Sequence, residues 1–304
     1  MKKMLLFILA ASLMLGCLGG EEAPSTPSAN ITLPGIGDTT PSGPSCDSPS
    51  YSFSKLEDGT FGQETDLVAT VTCAAGEKLV VSVDGVEVDS QTVTTNATTP
   101  LSFKAVGIKD GTPKLTVTSG SDTLLSKDWD VEPLGDDDTS GLGYDAVSFK
   151  EYRAMAVDVE STVEAGQIRI FMKRMQFRTM PDSEIIVEVR EDDGGQPGSI
   201  VGSSTKPITA TTLSENWIKF DFDPELTLDE GRYWMTVRVN QTEDTTTLSD
   251  AVNIHYRTVD SQAEGNDYTA EMRLSVDEKT GVATETAWKE LSYDRVYTMV
   301  IGSG

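Results

Sequence analysis

The sequence has few of the residues on which zinc sites, His-based triads and thiol–imidazole enzymes depend. It contains one His and three Cys in 304 residues. Zinc sites need several closely spaced Cys or His ligands, and nucleophilic triads need a His beside a Ser or Cys. The single His255 lies in a strand-like segment with no second ligand or nucleophile nearby in the sequence, so we expect a structural or surface role. We therefore predict no metal site, no cofactor and no His-based enzyme.

Helical patterns are also missing after the first 16 residues. No stretch sustains the apolar spacing of three and four residues over three turns. A phosphate-binding loop needs a strand before it and a helix after it, so Gly194–Gly198 is interpreted as a turn. Paired carboxylates remain as one catalytic option, but among 49 acidic residues no motif selects a pair.

Basic residues are scarce, with 24 Lys and Arg against 49 Asp and Glu and a formal net charge of −25. A chain of this sign repels phosphates, so we expect no nucleic-acid partner. The hydrophobic share of 38% is nevertheless enough to build buried cores at this length. The acidity is therefore expected to keep an exported surface soluble.

What the N-terminus does contain is a basic start, a short apolar run and a Cys. This layout is typical of a secretory signal, predicted over residues 1–16. The tetrapeptide Met14-Leu15-Gly16-Cys17 resembles the lipobox of prokaryotic, archaeal or bacterial, lipoproteins, although Leu15 stands where a small residue is more usual. The resemblance implies lipidation of Cys17 and a chain anchored on the outer face of the cell membrane; the alternative is an ordinary secretion signal.

Residues 17–45 are rich in Pro, Ser, Thr and Gly and hold almost no large apolar groups. Such a segment buries too little surface to fold, so we predict a disordered tether. Cys46 and Cys73 remain as an even pair, for which an oxidising exterior predicts a disulfide worth roughly 3.5 kcal/mol. The alternative is two buried free thiols. Glycosylation triplets begin at Asn30, Asn96 and Asn240.

Residues 46–134 alternate short strand-like runs with turn pairs, which predicts an immunoglobulin-like β-sandwich. Asp84-Gly85 between two Val-rich runs predicts a two-residue hairpin. The pattern departs from antibody domains, since Cys46 precedes the first strand and Trp129 falls in the last. Residues 135–143 follow as a polar, glycine-bounded segment; we interpret them as a solvated linker, with calcium binding by its three Asp as the alternative.

Residues 144–304 are again β, with longer strands. Two blocks, Ile168–Lys173 and Val187–Gly198, are followed by Trp217–Phe222 and Leu226–Trp234, and Trp288 precedes a closing strand. In this order the blocks resemble the jelly-roll-like "choice-of-anchor" surface domains of exported prokaryotic proteins. The resemblance implies a second β-sandwich and no catalytic residues. The predicted strands are 167–175, 184–190, 217–222, 232–240, 251–258, 268–276 and 293–301.

Strand alternation places Trp217 on the polar face of its strand, together with Lys219 and Asp221. By the same argument Trp234 shares a polar face with Arg238. If the two strands form a hairpin, both indoles lie on one exterior surface that suits sugar stacking. The alternative is that the indoles cover the sandwich edge, pack under a loop, or stack on Arg238.

All ten Arg lie at or beyond Arg153, which concentrates the residue best suited to interfaces in the distal half. We therefore predict a lipid-anchored, non-catalytic surface protein in which a spacer carries a distal sandwich that contacts a glycan or another surface protein. A purely structural envelope protein is the alternative. A glycan hydrolase is the third hypothesis.

Overall fold

The structure, a computed structural model, describes residues 46–140, 143–147, 151–174, 183–211, 214–240, 252–258, 269–276, 283–285, 287–290 and 295–304. These residues form strands β1 to β23 and one short 3₁₀-helix, Ile208–Ala210. The predicted all-β fold is therefore confirmed. In the described part of the chain no helix is long and apolar enough to cross a membrane. Residues Pro44–Gly304 group into one compact unit.

The first β-sandwich is built from nine short strands in two main sheets. One sheet has the order β1-β3-β6, the other the order β5-β4-β7-β8, and β2 pairs with β9 in parallel. The strands are β1 (Ser50–Phe53), β2 (Gly59–Thr60), β3 (Glu64–Thr72), β4 (Lys78–Val83), β5 (Val86–Thr92), β6 (Thr99–Val106), β7 (Lys114–Ser119), β8 (Asp122–Asp128) and β9 (Val131–Glu132).

Alternating apolar residues fill the core of this sandwich. In β4, Leu79, Val81 and Val83 are fully buried while their neighbours are not, because successive side chains point to opposite faces. Trp129 is buried in the same core, and its indole N–H donates to the Glu57 carbonyl at 2.9 Å.

The tight turn and the disulfide of the first sandwich were both predicted. Val83 pairs with Val86 across a two-residue loop, in which Asp84 and Gly85 have φ of 47° and 84°. Positive φ at both central residues gives the twist that a β-hairpin needs, so this prediction is confirmed. Cys46 and Cys73 are disulfide-bonded, with Cα atoms 5.1 Å apart, which also confirms that prediction.

The distal β-sandwich packs two sheets face to face. We call the sheet of β10, β11, β13, β16, β18, β22 and β23 the front sheet, and the sheet of β12, β14, β15, β17, β19, β20 and β21 the back sheet. The strands are β10 (Leu134–Gly135), β11 (Gly143–Val147), β12 (Glu151–Val159), β13 (Val163–Arg174), β14 (Glu184–Asp192), β15 (Pro197–Pro207), β16 (Asn216–Leu228), β17 (Gly231–Asn240), β18 (Val252–Thr258), β19 (Thr269–Val276), β20 (Ala283–Glu285), β21 (Lys289–Glu290), β22 (Arg295–Tyr297) and β23 (Met299–Gly302).

The core between the two sheets comes from the inward residues of long strands. Ile168, Ile170 and Met172 of β13 face Val187 and Val237 of the back sheet, and all five are fully buried. The outward residues of β13 and β16 therefore form the outer face of the front sheet.

The predicted hairpin between the two Trp-bearing strands is wrong. Strand β16 pairs with β13 in the front sheet, whereas β17 lies between β12 and β14 in the back sheet. The chain crosses from one sheet to the other at Asp229–Glu230, so Trp217 and Trp234 belong to opposite sheets.

The two sandwiches contact each other directly. Phe61 of the first sandwich is fully buried in the distal core, and the Gly62 carbonyl accepts from the Glu160 backbone N–H at 2.8 Å. The start of the predicted solvated linker is also built into the distal sheet, since Gly135 pairs with Val300 and Asp136 is buried. The chain between the sandwiches is thus partly strand.

Candidate functional site

Four aromatic rings form a row across the outer face of the front sheet. Trp217 lies opposite Phe171 in the β13–β16 register, and Tyr144 lies opposite His255 in the β11–β18 register. The pair Met172 and Ile254 places Phe171 beside His255. Ring centroids are 5.5 Å apart for Trp217 and Phe171, 5.5 Å for Phe171 and His255, and 5.4 Å for His255 and Tyr144. Four adjacent strands place the ends of this aromatic row roughly 14 Å apart.

The middle of the aromatic row is fixed by hydrogen bonds. His255 is buried, and its Nδ1 lies 2.7 Å from Thr298 Oγ1. The Thr298 hydroxyl also lies 3.2 Å from the Asp138 carbonyl. The imidazole makes T-shaped contacts with the Tyr144 and Phe171 rings. The position of His255 in the middle of the row is therefore fixed by both its hydrogen bond and its ring neighbours.

A charged pair lies against Tyr144, the last ring at one end of the row. The Lys173 ammonium lies 3.8 Å above the Tyr144 ring centroid and 3.0 Å from a Glu215 carboxylate oxygen. Burial, followed by the hydrogen bond to Glu215, raises the pKa of Tyr144 to about 12. The same hydrogen bond, followed by that from Lys173, lowers the pKa of Glu215. Tyr144 is thus a neutral donor at this end.

The other end of the row is open. Trp217 is 36% exposed and is one of the exposed large apolar residues of the described chain, with Val86 and Ile200. Its outward neighbours on β16 are Lys219 and Asp221, which form an ion pair of 3.0 Å. The predicted polar face of this strand, with Trp217, Lys219 and Asp221 together, is where the structure places it.

Trp234 is not on an exterior surface, which corrects the prediction made from strand alternation. It does lie on the outer face of its strand, but only 1% of it is exposed. It packs in a small cluster with Tyr152, Ala154 and Trp288 on the outer face of the back sheet. Its indole N–H donates to the Asp192 carboxylate at 2.7 Å. The alternative interpretation of a packed indole therefore holds for Trp234.

Arg238 also lies on the back sheet and takes part in a buried ion network. The Glu188 carboxylate, 3% exposed, accepts from Arg238 Nε at 3.1 Å and lies 2.7 Å from Arg190 Nη2. Arg238 additionally lies over the Tyr152 ring at 5.7 Å. Because the shared carboxylate is buried and Arg190 is 13% exposed, this network is interpreted as structural.

The remaining predicted site residues fall in different places. Cys17 and Asn30 lie outside the described residues. Asn96 is exposed, and its Oδ1 accepts from the Ala75 backbone N–H at 3.0 Å. Asn240 ends β17 and is half-buried. Over the described ranges, no three His, Cys, Asp or Glu side chains are grouped to hold a metal ion.

Comparisons with known proteins add little to this geometry. No family model matches the chain, and no curated protein matches it. A solved structure of carbohydrate-binding modules from the β-sandwich superfamily, described as having promiscuous specificity, is 15% identical in sequence. The alignment covers 65% of this chain and 100% of that one, with a TM-score of 0.18. At that TM-score the similarity carries no argument about ligand, so the candidate site rests on the described residues alone.

Proposed function

We propose that this protein is a non-catalytic binding protein of the cell surface, held by lipid on Cys17, and that its distal sandwich contacts glycan through the outer face of the front sheet. The observation that carries the proposal is the aromatic row with its one open end at Trp217. The tether of residues 17–45 would hold this face away from the lipid headgroups.

The chemistry of the row suits a sugar. A pyranose presents an apolar face to an aromatic ring and hydroxyl groups to polar neighbours. Trp217 offers the ring, and Phe171, its partner on the neighbouring strand, contacts the indole at an interplanar angle of 55°. Lys219 and Asp221, on the same face, offer a donor and an acceptor beside it. Because these groups lie on paired strands rather than on loops, the surface is formed before any ligand arrives.

Catalysis is not part of the proposal. Glycoside hydrolysis uses two carboxyl groups that flank the scissile bond. Beside Trp217, the described acidic groups of this face are each matched with a cation: Asp221 with Lys219, and Glu215 with Lys173. Such groups orient a sugar rather than protonate a leaving oxygen.

A glycan array tests the proposal. The sample is residues 17–304 with Cys17→Ser, so that the chain is soluble and the disulfide pair is left intact. Trp217→Ala should abolish binding, whereas Ile200→Ala should leave it unchanged. Ile200 is the matched control because it is also an exposed large apolar residue of the distal sandwich, at 53%, but lies on β15 of the back sheet.

Equal binding by both variants would show that the row is not the contact surface. Absence of binding by the parent chain to every glycan would favour the purely structural envelope protein. Release of reducing ends from a bound polysaccharide would show that the protein is a hydrolase.

A further inference from the structure

Two cations lie directly opposite each other beside the aromatic row. Arg169 of β13 pairs with Lys219 of β16, one pleat away from the pair Phe171 and Trp217. Two residues along a strand separate these pairs by about 7 Å. Lys206, from β15, reaches the same place, with its ammonium 3.8 Å from Asp221. We call Arg169, Lys206 and Lys219 the basic cluster.

A like-charge pair directly across two strands is unfavourable unless something else compensates it. Here the compensation is incomplete. Asp221 is shared, because Lys219 lies 3.0 Å and Lys206 3.8 Å from its carboxylate oxygens. A carboxylate oxygen of Asp110, from the first sandwich, lies 3.7 Å from Arg169 Nη2. Three cations against two carboxylates leave an excess of one positive charge, in a chain whose net charge is −25.

The carboxylate that faces Arg169 is already engaged elsewhere. Asp110 Oδ1 accepts from the Ser303 backbone N–H at 2.8 Å and from the Ser303 hydroxyl at 2.6 Å. The separation of 3.7 Å from Arg169 is too long for a direct hydrogen bond. Among the described residues this is the one ion pair of the guanidinium. Arg169 is 37% exposed at its side chain, so its donors remain accessible to a ligand.

A guanidinium with free donors suits a carboxylate or a sulfate, because its planar fork can bond two oxygens at once. The ammonium of Lys219, 47% exposed, adds a second positive charge at the adjacent strand. The strand spacing places this charge about 7 Å from Trp217. A substituted sugar, or the next sugar of a chain, can place an anionic group at that distance from a ring stacked on the indole.

On this basis we infer that the ligand of the front sheet is an acidic glycan, whose carboxylate or sulfate groups bind the basic cluster while a sugar ring stacks on Trp217. The inference rests on the proposed function and names its substrate class. It also accounts for a basic cluster on an otherwise acidic protein, since a strongly acidic surface alone would repel such a glycan.

The test measures binding of residues 17–304, with Cys17→Ser, to paired polysaccharides. The acidic probes are polygalacturonate and heparin, and the neutral probes are mannan and laminarin. Lys219→Gln and Arg169→Gln should each weaken binding to one or both acidic probes about threefold, and the double variant about tenfold. Raising the salt concentration should reproduce this loss because exposed charges are screened.

The matched control is Lys78→Gln. Lys78 is an exposed strand Lys with one carboxylate partner, Glu87 at 3.1 Å, but it lies in the first sandwich. This variant should bind like the parent. The Lys219 side chain is 47% exposed, so Lys219→Gln leaves the buried core intact and is expected to change the free energy of unfolding little.

The outcomes separate this inference from the proposed function. Binding to neutral probes alone, lost in Trp217→Ala, would overturn the acidic ligand and leave the glycan site standing. Equal binding to polyglutamate, unaffected by Trp217→Ala, would show a general polyanion surface and overturn the inference. Failure to bind any polysaccharide would overturn both.

Discussion

Trp217 and Trp234 both lie on the outer faces of their strands, but Trp217 is exposed and Trp234 is buried. Replacing each of them by Ala should therefore change the free energy of unfolding by different amounts. Trp234 is 1% exposed in its cluster with Tyr152 and Trp288, whereas Trp217 is 36% exposed and has Phe171 as a ring neighbour. We therefore predict that Trp234→Ala strongly destabilises the distal sandwich and that Trp217→Ala hardly does so.

The expected magnitudes follow from burial. Truncation of a fully buried Trp to Ala costs about 3–5 kcal/mol. The lower end, about 3 kcal/mol, applies to Trp234 because its cluster is small and lies outside the main core. The lost hydrogen bond to Asp192 adds little, since that carboxylate is exposed and water can replace the indole. Trp217→Ala should cost about 1 kcal/mol, as usual for a partly exposed side chain.

Urea unfolding followed by Trp fluorescence measures both free energies. Each variant keeps three of the four Trp, so the two signals are comparable. Trp234→Phe is an informative third variant, because it keeps one aromatic ring and loses the N–H donor and the second ring of the indole. It should cost about 1 kcal/mol, mainly from lost packing. Trp234→Ala could instead unfold at the same urea concentration as Trp217→Ala. The outer cluster of the back sheet would then not stabilise the fold, and the difference in burial between the two indoles would be contradicted.

The remaining predictions concern the anchor and the phenol of the aromatic row. Cys17→Ala should move the protein from the membrane fraction to the medium, as cell fractionation would measure; a variant that stays in the membrane fraction would exclude lipid on Cys17 as the anchor. The folded pKa of Tyr144 is raised to about 12, so its neutral form stabilises the fold below its ordinary pKa, and this contribution is lost as the pH rises from about 10 to about 12. In an absorbance titration of tyrosinate, Tyr144→Phe should therefore show one titrating group fewer near pH 12 than the parent chain. If the missing group titrates near pH 10 instead, the buried hydrogen bond to Glu215 is contradicted.

Strand alternation predicted which face each residue of the two Trp strands occupies, and it did so correctly. It placed Ile218 and Phe220 inward and Trp217 outward, and it placed Trp234 opposite the core residue Val237. What it could not show is whether an outward face meets water. That depends on Trp288, which lies 54 positions beyond Trp234 in the sequence and packs against it on the outer face of the back sheet.

The aromatic row was missed for a related reason. Its four members come from four strands, and their alignment depends on cross-strand register, which no local pattern in one sequence determines. A partial signal was present in β13, where Phe171 falls between Arg169 and Lys173 on the polar side of the alternation. An aromatic residue in that position is the same signal that identified Trp217.

The first sandwich, predicted to be a spacer, also shapes the candidate surface. Asp110 lies in its loop between β6 and β7 and binds Ser303, the residue after the last strand of the front sheet. A Cβ atom at Gly302 would lie 2.8 Å from the Asp110 carboxylate oxygens, so a larger residue there would displace this carboxylate. An oxygen of the same carboxylate lies 3.7 Å from a guanidinium nitrogen of Arg169. Arg169 of the basic cluster is therefore contacted from the first sandwich, so a substitution of Asp110 would alter the charge near Trp217 without replacing a residue of the distal sandwich.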